Sequence, residues 1–97
     1  MATLIYSRRA YADLDRLVQF VADGGPDAMG AVVDVIADAV EVLGRHPLIG
    51  RIAEHSLREL VISRGKTGYI ALYDYDADDD RVVILAVRAQ REAGYRT

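Results

Sequence analysis

The sequence predicts an α+β domain of two layers, an N-terminal helical hairpin packed on a mainly antiparallel sheet in the order β-α-α-β-β-β. Three observations lead there. Residues 8–43 carry apolar side chains at helical spacing in two blocks, and residues 57–88 switch to short β-rich runs divided by turns. The length, 97 residues, allows a single domain, 1–97, with one modest core. A meander of strands must bury one face, and the hairpin supplies the matching apolar layer.

Residues 3–6, Thr-Leu-Ile-Tyr, are β-formers and read as a short strand. Ser7 stands where a helix N-cap belongs, with a hydroxyl able to accept from an orphan amide. Ala10, Leu14, Leu17, Val18 and Val21 then form one helical stripe, with Arg9, Asp13, Arg16 and Asp23 away from it. Asp23-Gly24-Gly25-Pro26 breaks this helix, and Pro26 suits the first turn of the next, where its missing N–H is not needed. The second stripe is Met29, Val32, Val33, Ile36, Val40 and Leu43, with Asp34, Asp38 and Glu41 on the wet side. Gly44 fits a left-handed residue past the helix end, and Pro47 prevents continuation. Strands follow at 57–63, 69–75 and 82–88, with turns at 64–68 and 76–80. Tyr69, Ala71, Tyr73 and Tyr75 share one face of the middle strand. That spacing suits a platform for stacking bases, but it fits a core face under the helices as well, and the latter is the expectation. Residues 82–87 are apolar throughout, so the last strand is expected to be central and covered in part on both faces.

Composition excludes several classes. Apolar residues are 52% and charged residues 28%, a globular balance. The longest apolar run has six residues, against roughly 20 for a bilayer span, so no membrane helix is expected. Arg8 and Arg9 follow the start before any apolar stretch, no secretory signal is visible, and a cytoplasmic location is expected. The absence of cysteine removes disulfides, thiol nucleophiles and thiolate metal sites. His46 and His55 alone cannot furnish a metal site, and no metal or other cofactor is expected. Gly65-Lys66-Thr67-Gly68 lacks the earlier glycine and following helix of a phosphate loop and reads as a hairpin turn. Residues 76–80 lack the length and terminal Glu of a calcium loop and read as a solvated turn. Arginine outnumbers lysine eleven to one, and charge is sorted along the chain into an acidic front, a basic rear and this one acidic turn.

With those elements in place, the chain resembles the RelE/ParE family, the toxins of bacterial type II toxin–antitoxin modules, also described as plasmid stabilisation proteins. The carrying segments are Arg45-His46-Pro47-Leu48-Ile49-Gly50-Arg51, Leu57-Arg58-Glu59-Leu60-Val61, Gly68-Tyr69-Ile70-Ala71-Leu72-Tyr73, and Val87-Arg88-Ala89-Gln90-Arg91-Glu92-Ala93-Gly94-Tyr95. The resemblance implies a toxin neutralised by a cognate antitoxin that wraps it, in a hetero-oligomer. RelE-like members cut mRNA in the ribosomal A site, and ParE-like members block DNA gyrase. The cutting members resemble one another in lysines along the first meander strand, an arginine directly after the Gly-Tyr, and a late arginine and tyrosine. This chain has Arg58 and no lysine in that strand, and Ile70 after Gly68-Tyr69; only Arg91 and Tyr95 match. The ParE branch is therefore the expectation, although Ala89 departs from a histidine often found before Gln-Arg. A ribosome-dependent endonuclease using Arg58, Arg91 and Tyr95 is the rival, and a non-toxic antitoxin-binding module is a second.

The candidate residues for binding a target or antitoxin are Arg58, Arg88, Arg91, Tyr95, Tyr11 and Phe20. The three arginines are expected to form a cationic patch or, alternatively, to be solvated strand arginines with partners such as Glu59 and Glu92. Tyr95 is read as a ring packed on the sheet rather than as an acid/base group. Tyr11 and Phe20, with Val42, lie off the helical stripes and are expected to seat an amphipathic antitoxin helix. Residues 88–97 are expected to leave the sheet and to add little to a core already formed.

Overall fold

The computed structural model describes residues 1–62, 68–92 and 94–95. Its elements are β1 (Thr3–Tyr6), α1 (Arg8–Gln19), α2 (Gly25–Glu41), β2 (Arg51–Ile52), β3 (Arg58–Ile62), β4 (Tyr69–Asp76) and β5 (Arg81–Ala89). The strands make one sheet in the order β1-β5-β4-β3-β2. β1 runs parallel to β5, and the other neighbours are antiparallel. The predicted two-layer α+β architecture is therefore observed, with β2 added between the hairpin and the meander. Two residues carry no period, so β2 is visible only through its partners, Glu59 opposite Arg51 and Arg58 opposite Ile52. The turn expected at 64–68 lies outside the described residues except for Gly68. Among the described residues no helix is long and apolar enough to cross a membrane.

The local signals act largely as the sequence suggests. Ser7 Oγ accepts from the Ala10 N–H at 3.1 Å and caps α1. Pro26 stands in the first turn of α2. Gly25 bends the chain into that turn at φ 85°, a left-handed value that costs glycine little. The exit from α2 differs from expectation, because Gly44 is not left-handed. A 3-10 turn, Val42–Gly44, tightens the end instead, and the Arg45 and His46 N–H groups both donate to the Val42 carbonyl. Gly44 has another use: its carbonyl accepts from the Ala2 N–H at 2.7 Å, and an added Cβ would sit 3.1 Å from the Met1 side chain. It lets the start of β1 pass close by.

The core lies between the hairpin and β4–β5. Leu17, Ile36, Val40 and Leu43 meet Tyr73, Val82, Ile84 and Val87 there. Tyr73 is fully buried and Tyr69 and Tyr75 pack partly against it, so the tyrosine face is core as expected. Val33, counted in the second stripe, is exposed; α2 buries the narrower row Val32, Ile36, Val40. A bulge shapes β5: Leu72 faces Ala86 while Tyr73 faces Ile84, which leaves Leu85 as the extra residue. The shift of parity brings both Ile84 and Val87 onto the helix side. Residues of β5 alternate between buried and half-buried, consistent with cover on both faces.

β1 ends at Tyr6 opposite Ile84, so the remainder of β5 has no strand on that edge. Side chains replace it. Ser7 Oγ donates to the Leu85 carbonyl, the Val87 N–H donates to Asp13 Oδ2 at 2.9 Å, and Arg16 donates to the Val87 carbonyl. The Ala89 N–H continues the series by donating to Glu92 Oε1 at 2.8 Å. Asp13, which lies off the apolar stripe of α1, is thus only 4% exposed, and it also pairs with Arg16. Burial of a carboxylate is tolerated here because a backbone donor and a guanidinium both meet it.

Candidate functional site

The sequence-predicted arginines are not gathered into one patch. Cross-strand partners share a face of a sheet. Arg58 lies opposite Tyr73, which faces the helices, whereas Arg88 lies opposite Ile70, three positions away on β4 and on the other face. Arg58 serves the loop between α2 and β2. Its guanidinium donates to the Leu48 and Gly50 carbonyls at 3.2 and 2.9 Å. The Tyr73 hydroxyl works beside it, donating to the Pro47 carbonyl and accepting from the Gly50 N–H. Gly50 is required by that closeness, since an added Cβ would lie 2.6 Å from the Tyr73 hydroxyl and 2.8 Å from the Glu59 carbonyl. Family-like residues of this loop therefore have a structural reason to be what they are.

Arg88 gathers the tail. Its guanidinium donates to the Ala89, Gln90 and Glu92 carbonyls and stands 5.2 Å from the centre of the Tyr95 ring. The Tyr95 hydroxyl donates to Glu59 Oε2 at 2.7 Å, and Arg51 Nε donates to Glu59 Oε1 at 2.9 Å. Glu59 and Arg88 stand on β3 and β5, so the Tyr95 ring that joins them crosses over β4 on the helix-free face. The expected ring-on-sheet packing is what the geometry gives. On the other side of the sheet Glu92 Oε2 accepts from Arg16 at 2.7 Å and ties the tail to α1. The expectation that the tail adds little to the fold is thereby corrected: its carboxylate completes the β5 edge and its phenol completes the outer face.

Electrostatics follow from these contacts. The Tyr95 hydrogen bond, and then Arg51, hold the Glu59 carboxyl below its ordinary 4.5 despite partial burial. Burial and the Glu59 carboxylate push the Tyr95 phenol well above its ordinary 10.0. It is a hydrogen-bond donor, not a proton acceptor. Because Glu59 is depressed in the folded state, its stabilisation is fully present above pH about 4.5 and is lost as pH falls through the lower folded value. Glu59→Gln is expected to flatten the acid limb of the melting-temperature profile, in melts from pH 7 to pH 2. A variant with the same acid limb as the parent would show that Glu59 does not carry it.

Arg91, Tyr11 and Phe20 are exposed. Tyr11 leans on Tyr6 with ring centres 5.5 Å apart. Among the described residues the Arg91 side chain makes no hydrogen bond or ion pair. Sequence reasoning missed Arg51 and the pairing of Glu59 with Tyr95, which are 36 residues apart. A groove of ≈ 420 Å³ adjoins this pair, bounded by Leu57, Leu72 and the turn at His55. His55 and Ser56 both hold positive φ there, 58° and 67°. Among the described residues no cluster of side chains suits a metal ion.

The hairpin on a five-stranded sheet is the architecture of toxins in solved toxin–antitoxin complexes. The toxin–antitoxin complex RelBE2 of Mycobacterium tuberculosis contains a chain with 27% identity and a TM-score of 0.61, covering 94% of this chain and 93% of that one. The chromosomal ParDE system of P. aeruginosa contains one with 26% identity and a TM-score of 0.72, over 92% and 96%. The toxin RelE3 of Caulobacter vibrioides is 33% identical over 84 residues, 87% of this chain and 89% of that protein. The family model of the ParE toxin of the type II toxin–antitoxin system parDE matches residues 4–94. The chain belongs to the ParE toxin family of type II toxin–antitoxin systems.

Proposed function

We propose that the protein is the toxin of a two-component module, held inactive in the cytoplasm by a cognate antitoxin, and that it acts by binding its target in the ParE manner, with DNA gyrase as that target. The observation that carries this reading is the state of Tyr95 and Arg58. Cleavage of RNA needs a group to take the proton of the attacking hydroxyl and cations to meet the developing charge. Tyr95 donates to a carboxylate and is driven further from ionisation, and Arg58 is engaged with two backbone carbonyls. Ile70, where the cutting members resemble one another in an arginine, is buried. Arg91 alone of the nuclease set remains open. The antitoxin reading rests on the exposed aromatics Tyr11 and Phe20, which offer anchors to an amphipathic helix, and on Arg91, which offers a charge to an acidic segment.

Induced expression without antitoxin, with translation and DNA supercoiling read separately, tests the proposal. Altered supercoiling with intact mRNA is expected. Purified protein is expected not to cleave mRNA on programmed ribosomes, and Ile70→Arg is expected not to create that activity, since a catalytic set acts as a unit. Codon-specific cleavage by the parent protein would overturn the reading in favour of the ribosome-dependent endonuclease.

A further inference from the structure

We infer that Arg88 is a positioning residue for Arg91: it holds the turn at 89–92 in the shape that presents the Arg91 guanidinium to an anionic group of the target, and does not touch the target itself. The inference rests on the proposed toxicity and concerns how its surface is held. Arg88 stands on β5 opposite Ile70, on the helix-free face of the sheet. A solvated strand arginine would carry its head away into water. This one turns onto the chain that follows it. Its Nη1 lies 3.2, 3.3 and 2.9 Å from the carbonyl oxygens of Ala89, Gln90 and Glu92. Its Nε is buried, without a hydrogen-bond partner among the described residues, and the Tyr95 ring lies 5.2 Å from the guanidinium carbon.

The backbone on either side of Arg91 is tied. The Ala89 N–H donates to Glu92 Oε1 at 2.8 Å, and the Gln90 N–H donates to the Gly68 carbonyl at 2.9 Å. The Glu92 N–H closes the turn on the Ala89 carbonyl at 3.1 Å, while Glu92 Oε2 is anchored on Arg16. Three carbonyl oxygens of one short turn thus converge on a single cation. Converging carbonyl dipoles repel one another, and charge-assisted donors are what offset this, so the turn closes around the guanidinium and loosens without it. Arg91 is exposed in this turn, and its side chain makes no hydrogen bond or ion pair among the described residues. Its backbone is fixed and its head is free. Such an arrangement lowers the ordering cost that a long side chain meets on binding.

Direct contact of Arg88 with a target would require it to leave three carbonyls and the face of Tyr95 together. Arg91 has no such contacts to give up. Arg58 and Arg51 are likewise engaged, the first with the Leu48 and Gly50 carbonyls and the second with Glu59.

A double-mutant cycle on the full chain tests this, reading the intracellular toxin level at half-maximal growth arrest, with thermal melts of each variant. Arg91→Ala and Arg88→Met are each expected to raise that level at least about tenfold, and the double variant no further than Arg91→Ala alone. Ser7→Ala, which removes the α1 cap and so lowers stability away from the turn, is expected to change the level by less than about twofold. Should Arg88→Met melt below the growth temperature, Arg88→Lys, which keeps a cation without the fork, carries the same cycle. Hydrogen exchange of the Glu92 amide reads the turn independently of toxicity, and is expected to quicken at least about tenfold in Arg88→Met. Losses that multiply in the double variant would give Arg88 its own contact with the target and overturn the proposal. So would an unchanged Glu92 exchange in Arg88→Met, or a Ser7→Ala variant as impaired as Arg88→Met at the same melting temperature. A parent chain that leaves growth unimpaired would overturn the proposed toxicity instead, and the exchange result would still decide whether Arg88 shapes the turn.

Discussion

Asp13→Ala is expected to lower the melting temperature by roughly 10–20 °C, the largest effect of any single exposed-looking acid in this chain. The reason lies on the edge of β5. Asp13 Oδ2 is the acceptor of the Val87 N–H, and Asp13 Oδ1 lies 3.4 Å from the Arg16 guanidinium. Alanine removes both contacts and admits no water in their place, since Val87 is fully buried. A buried donor left without an acceptor costs about 1–3 kcal/mol, and loss of the carboxylate beside the Arg16 guanidinium adds to it. Asp13→Asn keeps a carbonyl oxygen for Val87 and forfeits only the ion pair, so it should recover a good part of the loss. Thermal melts of the three proteins check the account. An alanine variant within a few degrees of the parent would show that Val87 finds another acceptor and that the aspartate is dispensable.

Truncation after Gln90 is expected to cost roughly 2–4 kcal/mol, a large share of the stability of a domain this size. Four contacts go together. Glu92 no longer accepts from the Ala89 N–H and Arg16, Arg88 loses the Glu92 carbonyl, and the Tyr95 phenol no longer reaches Glu59. Loss of toxicity in that variant would consequently report on folding as well as on function. Arg91→Ala separates the two. Arg91 is exposed, so its removal should alter stability by no more than about 0.5 kcal/mol, while toxicity should fall clearly. Melts beside growth assays decide this. Full toxicity in Arg91→Ala would move the functional surface off the tail, and an unchanged melt in the truncated chain would mean that the tail is not part of the fold.

Much of this was legible in residues alone. Apolar spacing located both helices and three strands, Ser7 marked its cap, and the tyrosines of β4 were placed under the helices. Tyr11 and Phe20 were correctly expected at the surface, because a residue's place on a helix follows from counting by 3.6. The arginines were harder. Sequence shows that Arg58 and Arg88 lie on strands. It does not show that a bulge at Leu85 changes the parity of β5, or that a loop ten residues upstream claims the Arg58 guanidinium. Gly44 illustrates the same limit: a glycine past a helix end signals a left-handed exit, yet here it makes room for the start of β1.

The sequence by itself determined the two helices, the four longer strands, their order and the family to which they belong. These depend on periodicity and on neighbours a few positions away, which the chain carries locally. The tertiary structure decided which polar groups are satisfied by which, and so what each charged residue is for. Asp13 meets Val87 across 74 positions, Arg16 meets Glu92 across 76 and Tyr95 meets Glu59 across 36. A buried amide must find an acceptor wherever the fold brings one, and no local pattern records which side chain that is.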